Sequence, residues 1–346
     1  MAEIFRIGLD RGFLNDAGEI AWGDIGLSAL DQAPNITYEF MTERVAELTP
    51  AQIQPYHGLI LGGPRVTRRT FSEGAGRLVI IARHGVGYDT VDVDACTEND
   101  VVLCTTPTAS KHPVASASFA YLLALAKRLF DKDRLVRQGR WDIRGEYCGN
   151  EIQGKTLGIV GFGNTGSELA RLVAPFSMRV LAFDPYASPD VARGLGVELT
   201  SLDDLLRQAD FVCIHAMLTN ETRGLIGARE LSLMKPTAYL INCARGPIVD
   251  QRALTAALQE RRIAGAGLDV FETEPLPVDD PLIRLDNVML SPHTAAHTRE
   301  LSIAMGQVNS QQMLAVARGE PPPFVVNQAV LTRPGFQAKL QRFRGA

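Results

Sequence analysis

Residues 157–166, LGIVGFGNTG, carry the pattern on which the predicted fold depends. An apolar run is followed by Gly161, Gly163 and Gly166, and a helical pattern then continues to Ala174. The first glycine allows a tight turn, the second lets the backbone approach a pyrophosphate, and the third lets the helix pack on the strand. Because free N–H groups at the start of such a helix favour phosphate, the stretch predicts a dinucleotide-binding strand–turn–helix unit.

An acidic residue follows this unit at the spacing expected of a ribose-binding carboxylate. Asp184 ends the next apolar run, 18 residues after Gly166 (184 − 166). A carboxylate there binds the ribose hydroxyls of NAD and repels the 2′-phosphate of NADP, and Pro185 and Tyr186 bring no cation that would attract that phosphate. NAD is therefore the predicted cofactor. The alternative, in which Asp184 only caps a turn before Pro185, is disfavoured because the whole unit is present.

Short apolar runs alternate with helical patterns along most of the chain, which is typical of a doubly wound α/β fold. The helical patterns with the clearest start or stop signals cover 113–129, 251–260 and 299–318. We predict a Rossmann dinucleotide-binding domain over 107–299, inserted into a discontinuous flavodoxin-like substrate domain formed by 1–106 and 300–346. The predicted strands are 4–9, 36–40, 58–61, 78–81, 101–104, 156–160, 179–183, 211–215, 238–242, 265–270 and 288–291.

Composition excludes several other classes of protein. The 346 residues suit two domains. A net charge of −4 indicates neither nucleic acid nor an anionic membrane as a partner. No apolar run approaches a signal peptide or the roughly 18 residues of a membrane span. The five cysteines form no CxxC pair, so we predict a cytoplasmic protein without a metal site.

Three polar side chains, Arg245, Glu274 and His293, follow later apolar runs. Ligands of open α/β sheets gather outside the carboxyl ends of the strands. A guanidinium binds carboxylate or carbonyl oxygen, an imidazole gives or takes a proton, and a neighbouring carboxylate favours the protonated ring. Taken singly, each is more often structural: a loop cation, a surface acid or a buried histidine. Together they form a chemically plausible active site.

Residues from about 77 to 299 resemble the D-isomer-specific 2-hydroxyacid dehydrogenase family. The order and spacing of the shared motifs are specific, and they cover most of the chain. The resemblance implies an NAD-dependent enzyme that interconverts a small D-2-hydroxy acid and its 2-keto acid, and it implies a homodimer. The matching stretches are RHGVGYDTVD (83–92), GKTLGIVGFGNTG (154–166), LTNETRGLIG (218–227), MKPTAYLINCARGPIVD (234–250), AGAGLDVFETEP (264–275) and SPHTAAHT (291–298).

The resemblance also implies a role for each matching residue. Arg245 would orient the substrate, His293 would be the acid/base, and Glu274 would be its partner. The residues implied to bind NAD, beyond the three glycines, are Asn164, Thr165, Asp184, Cys243, Ala244 and Asp269. The residues implied to bind the substrate carboxylate, beyond Arg245, are Arg83, Gly85, Val86 and Gly87. Bare N–H groups in such a glycine-rich loop form an anion-binding nest.

Two departures from the family pattern and two other functions stay open. Met217 stands where the family usually has proline, and His297 occupies a position where small or varied residues are common. An NAD(H)-sensing protein, similar to the corepressors that share this fold, would need the same nucleotide site. A dehydrogenase of another substrate, such as phosphite, would use the same scaffold. The sequence does not decide between the glyoxylate, hydroxypyruvate and phosphoglycerate types of substrate.

Overall fold

Two parallel sheets form in the chain, one in each of two compact units of the computed structural model, which describes residues 3–344. The first unit is the chain up to Ser110 and from His297, and the second is Lys111–Ala296. The predicted substrate role of 1–106 and 300–346 stays a prediction, and residues 1, 2, 345 and 346 of that range lie outside the described residues.

The secondary-structure elements are numbered along the chain. The strands are β1 (Phe5–Leu9), β2 (Ile36–Phe40), β3 (Gly58–Leu61), β4 (Ile80–Arg83), β5 (Val102–Cys104), β6 (Thr156–Val160), β7 (Arg179–Phe183), β8 (Glu198–Leu199), β9 (Phe211–Ile214), β10 (Tyr239–Asn242), β11 (Gly265–Leu268) and β12 (Val288–Leu290). The α-helices are α1 (Ser28–Asp31), α2 (Pro50–Ile53), α3 (Val93–Glu98), α4 (Pro107–Ala126), α5 (Leu129–Arg137), α6 (Asn164–Val173), α7 (Pro189–Gly194), α8 (Leu202–Gln208), α9 (Ala228–Leu233), α10 (Gln251–Gln259), α11 (Arg299–Ala317) and α12 (Pro334–Gln341). Short 3-10 helices cover Arg11–Phe13, Arg68–Phe71, Trp141–Tyr147, Ala174–Phe176, Gly246–Ile248, Pro281–Arg284 and Gln328–Thr332.

The first unit contains the five-stranded sheet β2-β1-β3-β4-β5. This is the flavodoxin-like strand order, and the neighbouring strands β1–β2, β1–β3, β3–β4 and β4–β5 all pair in parallel. Helix α11 returns the chain to this unit after residue 296, and Thr298 caps it by accepting a hydrogen bond from the Leu301 N–H at 3.1 Å. The side chains of Phe5, Ile60 and Met313 share one buried cluster, so the terminal stretches build a common core.

The second unit contains the seven-stranded sheet β12-β11-β10-β9-β6-β7-β8. The chain order reverses between β6 and β9, which is the topological switch point where open α/β sheets bind ligands. Strands β6 and β9 are buried along their whole length, as expected of central parallel strands with both faces covered. The predicted Rossmann domain inserted into a discontinuous flavodoxin-like domain is therefore confirmed.

The structure differs from the sequence prediction mainly at the ends of elements. Helix α4 begins at Pro107, six residues before the predicted start (113 − 107), because proline fits the first helical position and the helix tolerates Pro113 in its interior. Strand β8 is an additional strand of two residues, too short to produce a periodic pattern. As predicted, the helix after the glycine pattern ends next to Pro175.

No helix within residues 3–344 combines the length and the apolar character that crossing a membrane requires.

Candidate functional site

The glycine pattern forms the turn between β6 and α6. Gly161 has φ +94°, and a Cβ there would lie 2.4 Å from the Ala216 nitrogen, so only glycine fits. A Cβ on Gly166 would lie 2.2 Å from the Gly161 carbonyl oxygen, which explains the close packing of helix on strand. A Cβ on Gly163 would meet no atom within 4 Å, so the backbone is open to a ligand at the position where a pyrophosphate must approach.

Asp184 follows β7 directly and is bound to the same turn. One of its carboxylate oxygens accepts the Phe162 N–H at 2.8 Å, and the other accepts the Tyr186 N–H at 2.8 Å. These two bonds fix the carboxylate at the carboxyl edge of the sheet, beside the glycine turn. Each oxygen keeps a further lone pair for the hydroxyl of a ribose. The glycine turn and Asp184 together therefore fit the NAD that the sequence predicts.

Cys243 and Ala244 follow β10, and Asp269 follows β11, so all three lie at the same edge of the sheet. Burial raises the pKa of Cys243 to about 12, so this thiol is neutral and is not a nucleophile at ordinary pH. The Ala244 N–H donates to the Asn242 side-chain oxygen at 3.0 Å, which fixes the loop before Arg245. Asp269 is 4% exposed and accepts two backbone N–H groups of the segment that follows His293.

His293 and Glu274 form the central pair of the site. Their Nδ1 and Oε2 atoms lie 2.8 Å apart, and the other Glu274 oxygen accepts the Phe271 N–H at 3.0 Å. Burial alone would raise the pKa of Glu274, but hydrogen bonds from His293 and Phe271, with the charge of Arg245, bring it below its ordinary value. Because Nδ1 is bound to Glu274, the remaining ring nitrogen, Nε2, is the atom left to face a substrate.

Arg245 is brought to this pair by a close contact between two loops. A Cβ on Gly246 would lie 1.9 Å from the Phe271 carbonyl, so glycine is required for the loop after β10 to touch the loop after β11. The Arg245 guanidinium donates to the Ala244 carbonyl at 2.8 Å. The backbone oxygen of Arg245 accepts from the side-chain amide of Asn242 at 3.0 Å. The three predicted catalytic side chains thus follow three adjacent strands, β10, β11 and β12.

A cavity of about 580 Å³ adjoins the histidine–glutamate pair. Its wall is mainly apolar, and the side chains of His293 and Glu274 are 46% and 36% exposed. The backbone of His293 itself has φ +56°, a conformation that non-glycine residues adopt rarely and that active sites often hold under strain. The residues that line the cavity are Phe271, Glu274, Pro275, Leu276, Leu290, Ser291, Pro292 and His293.

The predicted anion loop lies in the first unit, after β4. Arg83 is 7% exposed, and its guanidinium donates to the carbonyls of Gly62 at 2.9 Å and Gly87 at 3.3 Å. Among the described residues, no acceptor is bonded to the backbone N–H groups of Gly85, Val86 or Gly87. Three successive donors therefore remain available for an anion, as the predicted nest requires.

Two polar residues that the sequence did not single out fix this loop. Asn309 of α11 is fully buried; its amide donates to the Arg83 carbonyl at 3.2 Å, and its oxygen lies 2.9 Å from His84 Nδ1. Asp10 accepts the N–H groups of Gly12, Gly62 and Gly63 at 2.8, 3.1 and 2.9 Å. Asn309 could have been recognised in the sequence as a polar residue on the apolar face of a predicted helix. The irregular segment around Asp10 gave none.

Within the described ranges, no group of three or more histidine, cysteine, aspartate or glutamate side chains could hold a metal ion.

Comparison with known proteins gives concordant results. Residues 119–295 match the family model of the D-isomer specific 2-hydroxyacid dehydrogenase, NAD binding domain. A glyoxylate reductase of Korarchaeum cryptofilum is 44% identical over 270 residues, which cover 77% of this chain and 81% of that protein. A D-3-phosphoglycerate dehydrogenase of Methanocaldococcus jannaschii is 38% identical over 86% of this chain, which spans only 55% of that protein. The solved structure of a D-lactate dehydrogenase from Aquifex aeolicus, complexed with NAD and lactic acid, has a TM-score of 0.79 at 28% identity, covering 91% of this chain and 96% of that one.

Proposed function

The chain belongs to the D-isomer specific 2-hydroxyacid dehydrogenase family, and from this premise we propose that Arg245, Glu274 and His293 are the residues with which it interconverts a small 2-keto acid and its D-2-hydroxy acid. It is an NAD-dependent oxidoreductase that acts on the CH–OH group. The observation that carries the proposed site is the 2.8 Å contact between His293 and an ionised Glu274 at the carboxyl edge of the nucleotide-binding sheet.

The proposed mechanism assigns proton transfer to His293. When bound, NADH supplies the hydride that reduces C2 of the keto acid. In this direction His293 Nε2 donates its proton to the C2 oxygen, and Glu274 stabilises the charged ring from the opposite side. In the oxidative direction the neutral ring accepts the hydroxyl proton. The direct bond between Glu274 and Nδ1 supports this assignment, because it fixes the ring orientation in both steps.

Arg245 is proposed to orient the substrate and to stabilise the oxygen that gains charge at C2. A guanidinium presents paired donors to a carboxylate or carbonyl oxygen and stays charged at any working pH. Gly246 supports this proposal, since it lets the loop that carries Arg245 approach the loop of Glu274. The charge of Arg245 adds a smaller contribution to the lowered pKa of Glu274, after the hydrogen bonds from His293 and Phe271.

We propose that residues 83–87 bind the substrate carboxylate. The N–H groups of Gly85, Val86 and Gly87 supply an anion nest, and Arg83 adds its charge directly beneath them. The proposal is supported by the buried bonds that hold Arg83 to Gly62 and Gly87. The proposed NAD contacts, beyond Gly161, Gly163 and Gly166, are Asn164, Thr165, Asp184, Cys243, Ala244 and Asp269.

We also propose a homodimer that works in the cytoplasm. Four large apolar side chains near α5 are more than half exposed, which is unusual for a surface that stays in water and is typical of one covered by a partner. The five cysteines are all free, which favours a reducing compartment. Light scattering on the purified chain tests the dimer, and a monomer at micromolar concentration contradicts it. The four side chains are Leu129, Phe130, Val136 and Trp141.

A substrate panel tests the proposed function. Glyoxylate, hydroxypyruvate, phosphohydroxypyruvate and pyruvate are assayed with NADH and with NADPH, for the wild type and for His293→Asn. We expect turnover of at least one acid with NADH and a loss of about 10²–10⁴ in kcat for the variant. Binding of NADH, followed by its fluorescence, should be unchanged in His293→Asn. Equal turnover by the variant contradicts the role of His293, and no turnover of any acid favours an NAD(H)-sensing protein.

A further inference from the structure

Behind His293, three polar side chains of the second unit form a continuous chain of hydrogen bonds. The Tyr121 hydroxyl of α4 lies 2.5 Å from Ser291 Oγ, and the Ser291 hydroxyl is bonded to Asp269 Oδ1. Tyr121 and Asp269 are 5% and 4% exposed, and Ser291 between them is partly buried. Polar groups buried in this way are retained only when each is satisfied.

The direction of the bonds follows from the chemistry of the groups. An ionised carboxylate only accepts, so Ser291 must donate its single proton to Asp269. Ser291 is therefore the acceptor toward Tyr121, and Tyr121 must donate. Burial raises the pKa of the Tyr121 phenol well above its ordinary value, so the donated proton stays on this hydroxyl throughout the working pH range.

Asp269, at the end of this chain of bonds, holds the turn that carries His293. Its Oδ1 accepts the N–H groups of Thr294 and Ala295 at 2.8 and 2.9 Å, and its backbone oxygen accepts the His293 N–H at 2.8 Å. The positive φ of His293 costs conformational energy, so this backbone persists only where its neighbours hold it. Asp269 supplies that support on both sides of the histidine.

The Tyr121 ring packs against β11 at a glycine. A Cβ on Gly267 of β11 would lie 2.6 Å from a Tyr121 ring carbon, so the strand needs glycine where the ring crosses it. The same ring position brings the hydroxyl to within 3.4 Å of the Leu268 carbonyl, one residue before Asp269. An apolar side chain of the same shape would fill this space but could not reach Ser291 with a donor.

We propose that the Tyr121 hydroxyl is a positioning group for hydride transfer, acting through Ser291 and Asp269 on the turn that holds His293. It touches neither substrate nor reacting atoms. This inference rests on the role proposed for His293, and it adds a residue of α4 to the machinery of the reaction. Loss of the hydroxyl leaves the Ser291 oxygen without its donor and loosens the position of Ser291 beside Asp269, and the His293 turn then samples unproductive positions.

The test replaces Tyr121 by phenylalanine, which removes one oxygen and leaves no cavity in the core. We expect kcat to fall about 10-fold, as for the loss of one buried hydrogen bond, while KM for the keto acid changes less than 3-fold. The primary isotope effect on kcat, measured with NADH deuterated at the transferred position, should rise because hydride transfer becomes more rate-limiting. A purely structural role would change thermal stability and leave the isotope effect unaltered.

Three further variants make the result decisive. Tyr239→Phe is the matched control, because this ring stacks on Phe211 in the same sheet and should keep wild-type kcat. Ser291→Ala and the double variant Tyr121→Phe/Ser291→Ala should each lose about as much as Tyr121→Phe alone, since groups that act as one unit are not additive. Unchanged kcat in Tyr121→Phe, or additive losses in the double variant, overturns the inference. If His293→Asn is also fully active, the proposed function has failed as well.

Discussion

At the scale of single residues, the role proposed for Glu274 depends on its contact with His293. Its carboxylate bonds Nδ1 at 2.8 Å and stays ionised because its pKa is held below the ordinary value despite burial. A depressed carboxyl pKa means that Glu274 is ionised at neutral pH and loses its charge only when the pH falls through that lowered value. The pair should therefore limit activity on the acid side only at strongly acidic pH.

The variant Glu274→Gln distinguishes the effect of the negative charge of Glu274 from the effect of its hydrogen bond to the His293 ring. The amide still bonds the ring but no longer favours its protonated form, so keto-acid reduction should fall by about 10–100-fold at neutral pH. The loss should grow as the pH rises, because fewer rings keep the proton they must donate. The pH profile of kcat measures this, with Glu272→Gln in the same loop as the control. A profile parallel to the wild type argues against Glu274 as the partner of His293.

Asp184→Asn tests the predicted preference for NAD. The amide keeps one oxygen, which can accept from either Phe162 or Tyr186, whose N–H groups bond two different oxygens of Asp184. The change also removes the charge that repels a 2′-phosphate. We expect the ratio of kcat/KM for NADH over NADPH to fall by about 10–100-fold. Asp190→Asn, at an exposed pair with Arg193, should leave that ratio unchanged. A wild type that prefers NADPH contradicts the prediction outright.

At the scale of elements, helix α11 fixes the anion loop of the first unit. Asparagine is a poor residue for a helix interior because its amide competes with the backbone. Asn309 nonetheless lies fully buried there and bonds two successive residues, Arg83 and His84. The helix therefore holds the end of β4 through hydrogen bonds from a side chain, and not only through apolar packing.

Asn309→Leu keeps the branching of this side chain, with a larger volume, and removes its bonds to Arg83 and His84. If residues 83–87 bind the substrate carboxylate, KM for the keto acid should rise about 10-fold while KM for NADH stays within 2-fold. Initial-rate kinetics at varied concentrations of both substrates make the measurement. Gln307→Leu, at an exposed position of the same helix, is the control. A rise confined to KM for NADH contradicts the role given to the loop.

The sequence predicted the long elements well and their ends poorly. An apolar run located β6, the glycine pattern located α6, and helical periodicity located α11, which is long enough to repeat its pattern several times. Periodicity missed β8, whose two residues pair only with β7. It also began α4 at Pro113, since a proline normally marks a helix start; in the structure the first turn lies at Pro107 and the interior proline costs one hydrogen bond.

At the scale of the whole molecule, each unit contains a histidine that burial keeps neutral. Burial lowers the pKa of His84 in the first unit and of His215 in the second to about 4. In the unfolded chain both titrate near 6.5. Between these two values the unfolded state binds more protons than the folded state, so the free energy of unfolding must fall as the pH drops from about 6.5 to about 4.

Urea denaturation at pH 7.5 and pH 5 measures this effect. We expect a loss on the order of 1–2 kcal/mol per histidine at pH 5. His84→Gln should remove part of the pH dependence. His112→Gln should not, because that ring is largely exposed beside Glu168. Equal or greater stability at pH 5 contradicts the neutral, buried state of the two rings.

The sequence by itself determined the dinucleotide-binding unit and the α/β fold, and it predicted the trio Arg245, Glu274 and His293. These depend on local rules: glycines where no Cβ fits, a carboxylate at fixed spacing, and polar residues directly after apolar runs. Only the tertiary structure decided which side chains meet. Tyr121 and Ser291 are 170 residues apart in the chain, and Asn309 is 226 residues from Arg83, so no local pattern couples them. Sheet pairing and helix packing bring such residues together, and a hydrogen bond then forms because both partners are buried.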